Sequence, residues 1–597
     1  MHLNKEQLEA VRHKDGPMLV LAGPGSGKTA VLTAHIRFLI DECRINPEQI
    51  LALTFSKKAA QQMRYRLGPD LPVCFGTFHS VFYSVLQQYK STDVRLAMDR
   101  EKYNLLFDIG RKLQDGIDGA LVMTKLDEIG AFKNTGKVPD YFDAEEERCF
   151  CEILDAYQRR MHAAGLIDFE DMILDCLELL LTHPKILLKL QDRFSHILVD
   201  EFQDCNDPQY ELLLLLGGKS QNLFCVGDDD QSIYGFRGAN SGIIARLMKD
   251  CPHLAVVHLI RNYRCGAAVI DASDKLIRVN TLRLEKPKQL PSKFRERGSV
   301  AVLMASDARM EARIVCARIR SLLLEGVKAC DIAILYRTEM CAMTLKEVLS
   351  KECLIDASKK ENTFYEYEAV QEVMAYLSLS QNDYRREFFY RILNHPNRDL
   401  VRECVTTDLS GRDAMLHYYQ GDEIHMRAVE NLFSDLAFIG NLPPYAAVCY
   451  IWKKIGLGKD YEEKRLREKR EDLPSEEEML IRLLEHAGSF GSIRRFVEHA
   501  ARKRLCKEEH GSARSETEPV LQTIHAAKGL EYDTVFVIGL QEGILPHIRA
   551  KGKEEKEEER RLLYVAMTRA RNRLYLIARG KKERGKRYSS FIDEIRA

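Results

Sequence analysis

A glycine-rich segment near the start of the chain has the residue types of a phosphate-binding loop. It reads AGPGSGKT and lies between the apolar run Met18–Gly23 and a helical pattern. Glycines let backbone N–H groups turn inward around phosphates, Lys28 would neutralise their charge, and the hydroxyl of Thr29 would reach a Mg²⁺ ion. The strict pattern has glycine where this chain has Ala22, and a glycine-rich turn without a nucleotide is the alternative. We predict nucleotide binding by Ala22, Gly23, Pro24, Gly25, Ser26, Gly27, Lys28 and Thr29.

A pair of acidic residues follows another apolar run. Asp200 and Glu201 lie near the end of the segment His196–Phe202. Both carboxylates should therefore emerge at the carboxyl end of a strand, the edge that faces the ligand in doubly wound sheets. Asp200 would hold Mg²⁺, and Glu201 would orient or deprotonate the attacking water. Alone, such a pair is often a solvated strand end, but in the same sheet as a phosphate loop it predicts nucleotide hydrolysis.

Three further side chains could act on the same phosphates. Gln231 follows the next apolar run and would sense the γ-phosphate, although an isolated glutamine there is more often a surface amide. Arg264 lies in RNYRC, and Arg569 lies in YVAMTRA. An arginine that reaches the transferring phosphoryl group accelerates GTPases by about 10³–10⁵-fold. With Arg569 in a second sheet domain, hydrolysis would depend on the closure of two domains.

Short apolar runs punctuated by glycine predict buried parallel strands that alternate with helices. One set is Met18–Gly23, Ile50–Ser56, His196–Phe202, Leu223–Asp228 and Val256–Leu259. A second set is Val300–Ala305, Asp331–Arg337, Thr534–Leu540 and Arg573–Ala578. Helical spacing of apolar residues interrupts both sets. The expected fold class is α/β, with two parallel-sheet domains that each carry a mostly helical inserted subdomain: residues 1–89 and 190–280 with insertion 90–189, and residues 281–381 and 516–597 with insertion 382–515.

Length and composition are typical of a multi-domain globular protein. Of the 597 residues, 45% are hydrophobic and 30% are charged. A chain of this length is too long to fold around a single core. Because 89 basic residues balance 89 acidic ones, a nucleic-acid site would have to be a local basic groove. No run approaches the roughly 20 apolar residues of a membrane span, and we expect a cytoplasmic protein. The 16 cysteines are scattered, so we expect no zinc or iron–sulfur site.

Two highly charged runs occur in the second half of the chain. They are Glu462–Glu478 and Lys551–Arg561. Opposite charges at i,i+4 spacing are typical of exposed helices. We interpret both runs as solvated helix faces.

Ten short motifs together resemble the UvrD/Rep/PcrA group of superfamily 1 DNA helicases nearly end to end. In chain order they are LNKEQ, AGPGSGKT, TFSKKAA, GTFHS, VDEFQD, GDDDQSIYGFRG, NYR, LYRT, TIHAAKGLEY and YVAMTRA. Their common order carries the resemblance more than any one motif does. It implies two RecA-like motor domains that bind ATP and Mg²⁺ between them and move 3′ to 5′ along single-stranded DNA. It also implies unwinding at ss/ds junctions in DNA repair or recombination, by a monomer or weak oligomer.

The resemblance assigns roles to single residues. Gln7 would recognise adenine, Tyr263 would stack on it, and Glu531 would contact the ribose. Phosphates, Mg²⁺ and water would be handled by Lys28, Thr29, Asp200, Glu201, Gln231, Arg264 and Arg569. The DNA strand would contact Phe55, Thr77, His79, Tyr234, Phe236, Arg237, His525 and Lys528. Aromatic rings stack on bases without regard to sequence, and polar or charged groups hold phosphates; core packing is the alternative for Phe55 and Phe236.

The chain departs from the family pattern at three places. Ala30 follows the phosphate loop where the pattern has arginine, and Phe236 stands where it has tryptophan. In the second insertion, Asn394–Cys404 contains Asp-Leu-Val instead of a glycine-rich turn, and bulky residues keep backbone N–H groups further from a phosphate. This change favours the alternative function, a DNA-stimulated ATPase translocase that displaces proteins or works within a complex without unwinding alone. A P-loop kinase or transporter ATPase would leave the DNA-contact positions and the Arg569 motif unexplained.

Overall fold

The chain folds into two compact units. Unit 1 contains Met1–Met304 and Ile524–Ala597, and unit 2 contains Ala305–Thr523. The four-part division expected from the sequence groups the chain differently, because it places residues 516–597 with residues 281–381 in a second sheet domain; it stays a prediction. The computed structural model describes residues 3–68, 70–89, 94–113, 119–139, 142–218, 221–235, 238–292, 298–355, 364–405, 411–467, 476–505, 517–548, 550–580 and 587–596.

Short strands alternate with helices along most of the chain. The strands are β1 (Met18–Ala22), β2 (Ile50–Thr54), β3 (Cys74–Thr77), β4 (Arg95–Leu96), β5 (Leu166–Ile167), β6 (His196–Val199), β7 (Leu223–Gly227), β8 (Ala255–Leu259), β9 (Arg261–Asn262), β10 (Leu290–Pro291), β11 (Ser299–Ala305), β12 (Ile332–Tyr336), β13 (Val520–Thr523), β14 (Tyr532–Leu540) and β15 (Ala570–Arg579). The helices up to residue 277 are α1 (Lys5–Val11), α2 (Lys28–Asp41), α3 (Lys57–Leu67), α4 (Phe78–Tyr89), α5 (Asp99–Leu113), α6 (Gly119–Thr135), α7 (Ala144–Ala163), α8 (Asp171–Thr182), α9 (Pro184–Arg193), α10 (Asp207–Gly217), α11 (Ile243–Asp250) and α12 (Ala267–Ile277). Those that follow are α13 (Ala308–Leu324), α14 (Glu339–Lys351), α15 (Glu368–Ser380), α16 (Arg386–Ile392), α17 (Arg412–Tyr418), α18 (Glu423–Gly440), α19 (Pro444–Cys449), α20 (Leu457–Arg467), α21 (Glu476–Ala487), α22 (Ile493–Leu505), α23 (Lys553–Met567) and α24 (Phe591–Arg596).

A six-stranded parallel sheet is the centre of unit 1. Its strand order is β3-β2-β6-β7-β1-β8, and the pairs in it are parallel. Every residue of β1, β2, β6 and β7 is buried, as expected for strands that helices cover on both faces. The carboxyl ends of β6, β7 and β1 are neighbours at one edge, so the segments that follow these strands meet there.

The apolar runs of the second set also form strands. In unit 1, β14 pairs in parallel with β15, and in unit 2, β12 pairs in parallel with β13. All nine predicted strand runs are confirmed, and so is the α/β class with parallel sheets. Strands β3 and β13 were not predicted, because each is four residues long and only partly apolar. The two-residue strands β4, β5, β9 and β10 were not predicted either.

Helices α5–α9 follow α4 in the stretch between β3 and β6, as the spacing of apolar residues predicted, and the two-residue strands β4 and β5 lie in the same stretch. In this region the buried ammonium group of Lys133 contacts two carboxylates, those of Asp168 (2.5 Å) and Asp171 (2.7 Å). A separate, mainly helical core fills unit 2, and it contains Trp452, the chain's single tryptophan. Among the residues that the structure describes, no helix combines the length and the apolar character that a membrane span requires.

A buried carboxylate in unit 2 should make its stability depend on pH. Glu372 is 5% exposed, and burial raises its pKa to about 7. The negative charges of Glu368 and Asp460 also raise this pKa, whereas the positive charges of His395 and Lys464 lower it. The hydrogen bond to Asp460 raises the pKa of His395 as well. Both groups hold a proton more tightly in the folded state than in the unfolded state. Their stabilising contribution is therefore complete at low pH and is lost as the pH rises, for Glu372 between about 4.5 and 7.

We expect the free energy of unfolding of unit 2 to fall by about 1–3 kcal/mol between pH 5 and pH 8, and to fall less in Glu372→Gln. Urea unfolding monitored by the fluorescence of Trp452 measures this, because that ring is buried in the core of unit 2. The exposed Glu387, which pairs with Arg385 at the surface, provides the matched control Glu387→Gln. Equal pH dependence in all three proteins would contradict the assignment to Glu372.

Candidate active site

The loop between β1 and α2 has the backbone geometry of a phosphate cradle. Gly25 (φ +67°) and Gly27 (φ +91°) adopt left-handed conformations that other residues rarely tolerate. A Cβ atom at Gly25 would lie 2.5 Å from the Cβ of Arg264 and 2.6 Å from Oδ1 of Asn262. The loop therefore requires glycine both for its turn and for the close approach of the neighbouring segment.

Lys28 begins α2 directly after this turn. No described side chain caps the helix, so its first N–H groups remain open to an anion at the positive end of the helix dipole. The Lys28 ammonium group donates to the carbonyl of Ala22 (3.0 Å) and lies 4.0 Å from Oε2 of Glu201. A triphosphate bound in the loop would meet a cation and a helix N-terminus at once.

Asp200 and Glu201 follow β6, as predicted. Asp200 is 8% exposed, and its N–H donates to the carbonyl of Leu53 in β2 (2.9 Å). Glu201 has φ +52°, a conformation that costs energy for a residue other than glycine and that persists only where the surroundings enforce it. The N–H of Glu201 donates to Oδ1 of Asp200 (3.1 Å). The chain thus leaves the strand in a sharp, fixed turn that carries both carboxylates.

The two carboxylates differ in pKa. Burial and the neighbouring charge of Glu201 raise the pKa of Asp200 to about 7. Burial also opposes ionisation of Glu201, but the positive charges of Lys28 and Lys528 keep the pKa of that group below its ordinary value. Glu201 is therefore ionised at neutral pH and can accept a proton or a hydrogen bond from water.

Gln203 contacts Glu201 and was not predicted from the sequence. Its Nε2 donates to Oε2 of Glu201 (2.5 Å), and its Oε1 accepts from the N–H of Asp228 (2.9 Å), the residue after β7. Gln203 is fully buried, so it fixes the acidic turn to the end of the next strand. The signal in the sequence was a glutamine two residues after the acid pair, in DEFQD.

Gln231 and Arg569 meet in the structure. Nε2 of Gln231 donates to Oδ2 of Asp228 (2.8 Å), and Oε1 accepts from Nη2 of Arg569 (3.3 Å). Arg569 is 1% exposed; burial and the charge of Arg264 lower its pKa to about 9, which still leaves it charged at pH 7. Its Nε donates to the carbonyl of Val565 (2.9 Å). The two side chains that were predicted to act on the phosphates are therefore already in contact.

Arg264 pairs with Glu531, although the sequence predicted separate roles for them. Nε of Arg264 donates to Oε2 of Glu531 (2.7 Å), and Nη1 contacts the carbonyl of Thr568 (3.5 Å). Burial opposes the ionisation of Glu531, but Arg264 holds the pKa of that group below its ordinary value. A nucleotide that uses either side chain would have to replace this ion pair.

The predicted adenine contacts lie beside the phosphate loop. Gln7 forms a capping box with Asn4 at the start of α1, and its Nε2 donates to the carbonyl of Ser26 (2.9 Å). The side chain of Asn4 donates to the hydroxyl of Tyr263 (3.1 Å), whose N–H donates to the carbonyl of Gly25 (2.8 Å). Hydrogen bonds thus connect the start of α1, the phosphate loop and Tyr263, which is 42% exposed. Recognition of adenine by these residues stays a prediction.

Several predicted DNA contacts form one aromatic group. The rings of Phe55 and Tyr234 stack with centroids 4.8 Å apart and an angle of 19°, and the ring of His525 lies 6.2 Å from Tyr234. Phe55 is 40% exposed, so it is not a core residue. Phe236 and Arg237, predicted to act beside them, lie outside the described residues.

Lys528 has a different environment from the one expected of a DNA-phosphate contact. Its ammonium group donates to Oδ2 of Asp204 (2.5 Å) and to the carbonyl of Gln231 (2.8 Å), and its side chain is 7% exposed. It also lies 4.9 Å from the centre of the Tyr234 ring. The ammonium group joins the acidic turn to the Gln231 turn, and its role towards DNA stays a prediction.

Thr77 and His79 lie at the junction of β3 and α4. The Thr77 hydroxyl donates to Oγ of Ser80 (3.1 Å), and His79 stacks on Phe169 with ring centroids 3.8 Å apart. Burial lowers the pKa of His79 to about 4, so the imidazole is neutral at pH 7 and suited to stacking rather than to phosphate neutralisation. Phe169 is 50% exposed and was missed in the sequence, where it stands between two acidic residues in IDFED.

The sequence matches two domain families of known helicases. The UvrD/REP helicase N-terminal domain matches residues 3–252, and the UvrD-like helicase C-terminal domain matches residues 257–416 and 457–581. The chain belongs to the UvrD/Rep helicase family. It is 33% identical to YjcD of Bacillus subtilis (strain 168), covering 96% of this chain and 78% of that protein. It is 31% identical to the ATP-dependent DNA helicase PcrA of Staphylococcus aureus (strain MRSA252), over 96% and 83% of the two chains, and 30% identical to PcrA of Leuconostoc citreum, over 96% and 81%.

In this UvrD-type helicase, those of the predicted site residues that the structure describes belong to unit 1. The predicted nucleotide site is built from the start of α1, the segments after β1, β6, β7 and β9, and the segment 524–569. Contacts between these segments are direct, as those of Lys528 with Asp204 and of Arg569 with Gln231 demonstrate. The structure therefore brings the predicted nucleotide residues together, while the role of each stays a prediction.

The interpretation of the charged run Lys551–Arg561 as a solvated helix face is wrong for residues 557–561, whereas residues 551–556 are exposed. Helix α23 of the helicase buries four of these side chains, Glu557, Glu559, Arg560 and Arg561. Glu557 accepts hydrogen bonds from the N–H groups of Thr281 and Leu282 (both 2.9 Å), and Glu558 accepts from the N–H of Gly235 (3.0 Å). Partners from distant segments contact these side chains, and i,i+4 spacing gives no sign of them. Of the run Glu462–Glu478, residues 468–475 lie outside the described residues.

Proposed function

We propose that this chain hydrolyses ATP to move 3′ to 5′ along single-stranded DNA and unwinds duplex at ss/ds junctions, in DNA repair or recombination. As a UvrD/Rep family member with PcrA relatives, it is an ATP-dependent DNA helicase of the PcrA/UvrD type. The observation that supports a hydrolytic site best is the surroundings of Glu201. An ionised carboxylate lies 4.0 Å from the lysine of the phosphate loop, and Gln203 holds it at 2.5 Å.

Each group has a distinct part in the proposed hydrolysis. The loop N–H groups and Lys28 hold the phosphates, and Glu201 accepts the proton of the attacking water. Arg569 neutralises charge that develops on the transferring phosphoryl group. The oxygen donors at this edge fit Mg²⁺, because the buried carboxylate of Asp200 and the hydroxyl of Thr29 are the hard ligands that this ion prefers. Bound there, Mg²⁺ would offset phosphate charge.

The contacts of Lys528 support coupling between the nucleotide site and the DNA strand. Its ammonium group contacts the carbonyl of Gln231 and lies over the ring of Tyr234. Gln231 and Tyr234 belong to one short turn after β7. A displacement of Gln231 during hydrolysis would therefore be transmitted to the ring that we propose to stack on a base.

A loop in unit 2 favours the second candidate, a translocase that displaces proteins without unwinding duplex alone. The backbone N–H groups of residues 398–401 all donate to oxygens of the protein's own side chains. The acceptors are Oδ1 of Asn394 for Arg398 and Leu400, Oδ1 of Asn397 for Asp399, and the hydroxyl of Tyr419 for Val401. Backbone groups that are already paired cannot also bind the phosphates of a duplex without losing these bonds.

Two assays on the purified protein distinguish the candidates. The first measures ATP-driven separation of a 3′-tailed duplex, with a 5′-tailed duplex as the control for direction. The second measures release of streptavidin from biotinylated single-stranded DNA. The proposed helicase should separate the 3′-tailed duplex and release streptavidin. Release without separation would establish the second candidate, and separation of only the 5′-tailed duplex would contradict the direction.

A further inference from the structure

Three consecutive aspartates after β7 surround one lysine. Asp228, Asp229 and Asp230 are 2%, 4% and 3% exposed, and their carboxylate oxygens lie within 4.8 Å of one another, a spacing that could hold a metal ion. The ammonium group of Lys286 contacts all three, at 2.6, 2.5 and 2.7 Å respectively. Lys286 is therefore a built-in cation at the position that a metal ion would otherwise take.

Two cations from the segment 283–286, Arg283 and Lys286, offset most of the negative charge of the three aspartates. Arg283 makes a two-pronged contact with Asp230, at 3.0 and 2.7 Å, and the N–H of Leu284 donates to Asp229 (2.8 Å). Burying carboxylates is costly unless they are paired and hydrogen-bonded. Burial opposes the charge on Lys286, but the carboxylates together raise its pKa well above the ordinary value, so it is a permanent cation.

One of the three carboxylates connects Lys286 to the nucleotide site. Oδ1 of Asp228 accepts from Lys286 (2.6 Å), and Oδ2 accepts from Nε2 of Gln231 (2.8 Å). This second bond fixes which way the Gln231 amide points, so that its oxygen faces Arg569. If the amide reversed, its NH₂ group would face the guanidinium group of Arg569, and two donors would oppose each other.

We propose that Lys286 is a positioning residue for hydrolysis: it holds the Asp228 carboxylate, which orients Gln231 towards Arg569. Lys286 contacts neither Gln231 nor Arg569 in the described hydrogen bonds, so it acts through Asp228. This inference rests on the proposed ATPase function of the site and adds to it a residue that no motif discussed above contains.

A matched pair of near-isosteric substitutions tests the proposal. Asp228→Asn and Asp229→Asn each remove one negative charge from the buried cluster, but only Asp228 contacts Gln231. We expect Asp228→Asn to lower kcat for DNA-stimulated ATP hydrolysis by about 10- to 100-fold, the usual effect of losing an outer partner of a reacting group. In Asp228→Asn, KM for ATP should change less than about threefold, because a misoriented Gln231 affects the reacting state more than ATP binding. Asp229→Asn should keep kcat within about threefold, because Asp229 does not contact the Gln231 side chain.

Lys286→Met and a double substitution complete the test. Lys286→Met should lower kcat as Asp228→Asn does, whereas Lys288→Met, which removes the surface pair with Asp271, should not. In a protein that already carries Gln231→Ala, adding Lys286→Met should lower kcat by less than a further factor of about three, because Lys286 is proposed to act only through Gln231. Equal losses in the two aspartate variants, or full additivity of Lys286→Met with Gln231→Ala, would overturn the proposal. A wild-type protein without DNA-stimulated hydrolysis would overturn the proposed function and this inference with it.

Discussion

Replacing Glu201 with glutamine should lower kcat for ATP hydrolysis by about 10²–10⁴-fold, the contribution of a general base, while ATP and single-stranded DNA still bind. Glutamine keeps the shape of the side chain and can still accept the hydrogen bond from Gln203. It cannot accept a proton from water. Steady-state hydrolysis, together with binding of a fluorescent ATP analogue and of a labelled oligonucleotide, measures the three quantities.

Glu211→Gln is the control for this substitution, because Glu211 lies on α10 and contacts Arg246 at the surface. It should have wild-type kcat. Retained turnover in Glu201→Gln would mean that another group takes the proton. Loss of ATP binding would mean that Glu201 orders the phosphate loop through Lys28 rather than acting on water.

Replacing Arg569 with lysine should lower kcat by about 10³–10⁵-fold, the effect of losing an arginine that stabilises a transferring phosphoryl group. The guanidinium group makes hydrogen bonds to Gln231, Val565 and Leu530 at the same time. A single ammonium group cannot reproduce this fork, although it keeps the charge. Affinity for an ATP analogue should fall far less than kcat, because the charge that Arg569 meets develops only during transfer.

Thermal unfolding must accompany that measurement, because Arg569 is buried and lysine cannot make all of its hydrogen bonds to backbone carbonyls. Arg579→Lys is the control: Arg579 lies at the end of β15, the strand that begins directly after Arg569, and donates to Gln541. Wild-type kcat in Arg569→Lys, or a loss of affinity that accounts for the whole effect, would contradict a role in the reacting state.

The sequence predicted the parts of the fold that depend on local pattern. Parallel strands that helices cover on both faces must be apolar throughout, so β1, β6 and β7 could be recognised as apolar runs. The motifs that follow these strands therefore lie at the carboxyl edge of the sheet, where such folds bind ligands. Strand β3 (CFGT) was missed because four residues that include a glycine carry too little pattern.

The parts that failed depend on partners distant in the chain. Gln203 and Lys286 hold site residues in place. No motif surrounds Lys286, and although Gln203 lies in VDEFQD, the sequence does not show that its side chain bridges Glu201 and Asp228. The same holds for Glu557, which has the spacing of an exposed helix and is buried because Thr281 and Leu282 supply donors. Lys528 was recognised as a functional lysine, yet its pairing with Asp204 required the tertiary structure.

The stack of Phe55 on Tyr234 has an energetic consequence for movement along a strand. Separating two such rings costs about 0.5–1.5 kcal/mol, and a base that inserts between them regains about 1–3 kcal/mol in stacking. The net gain per base is the small difference between these figures. For the proposed DNA contact, a base stacked between Phe55 and Tyr234 would therefore add little net binding energy, because the two rings re-form their own contact when the base departs.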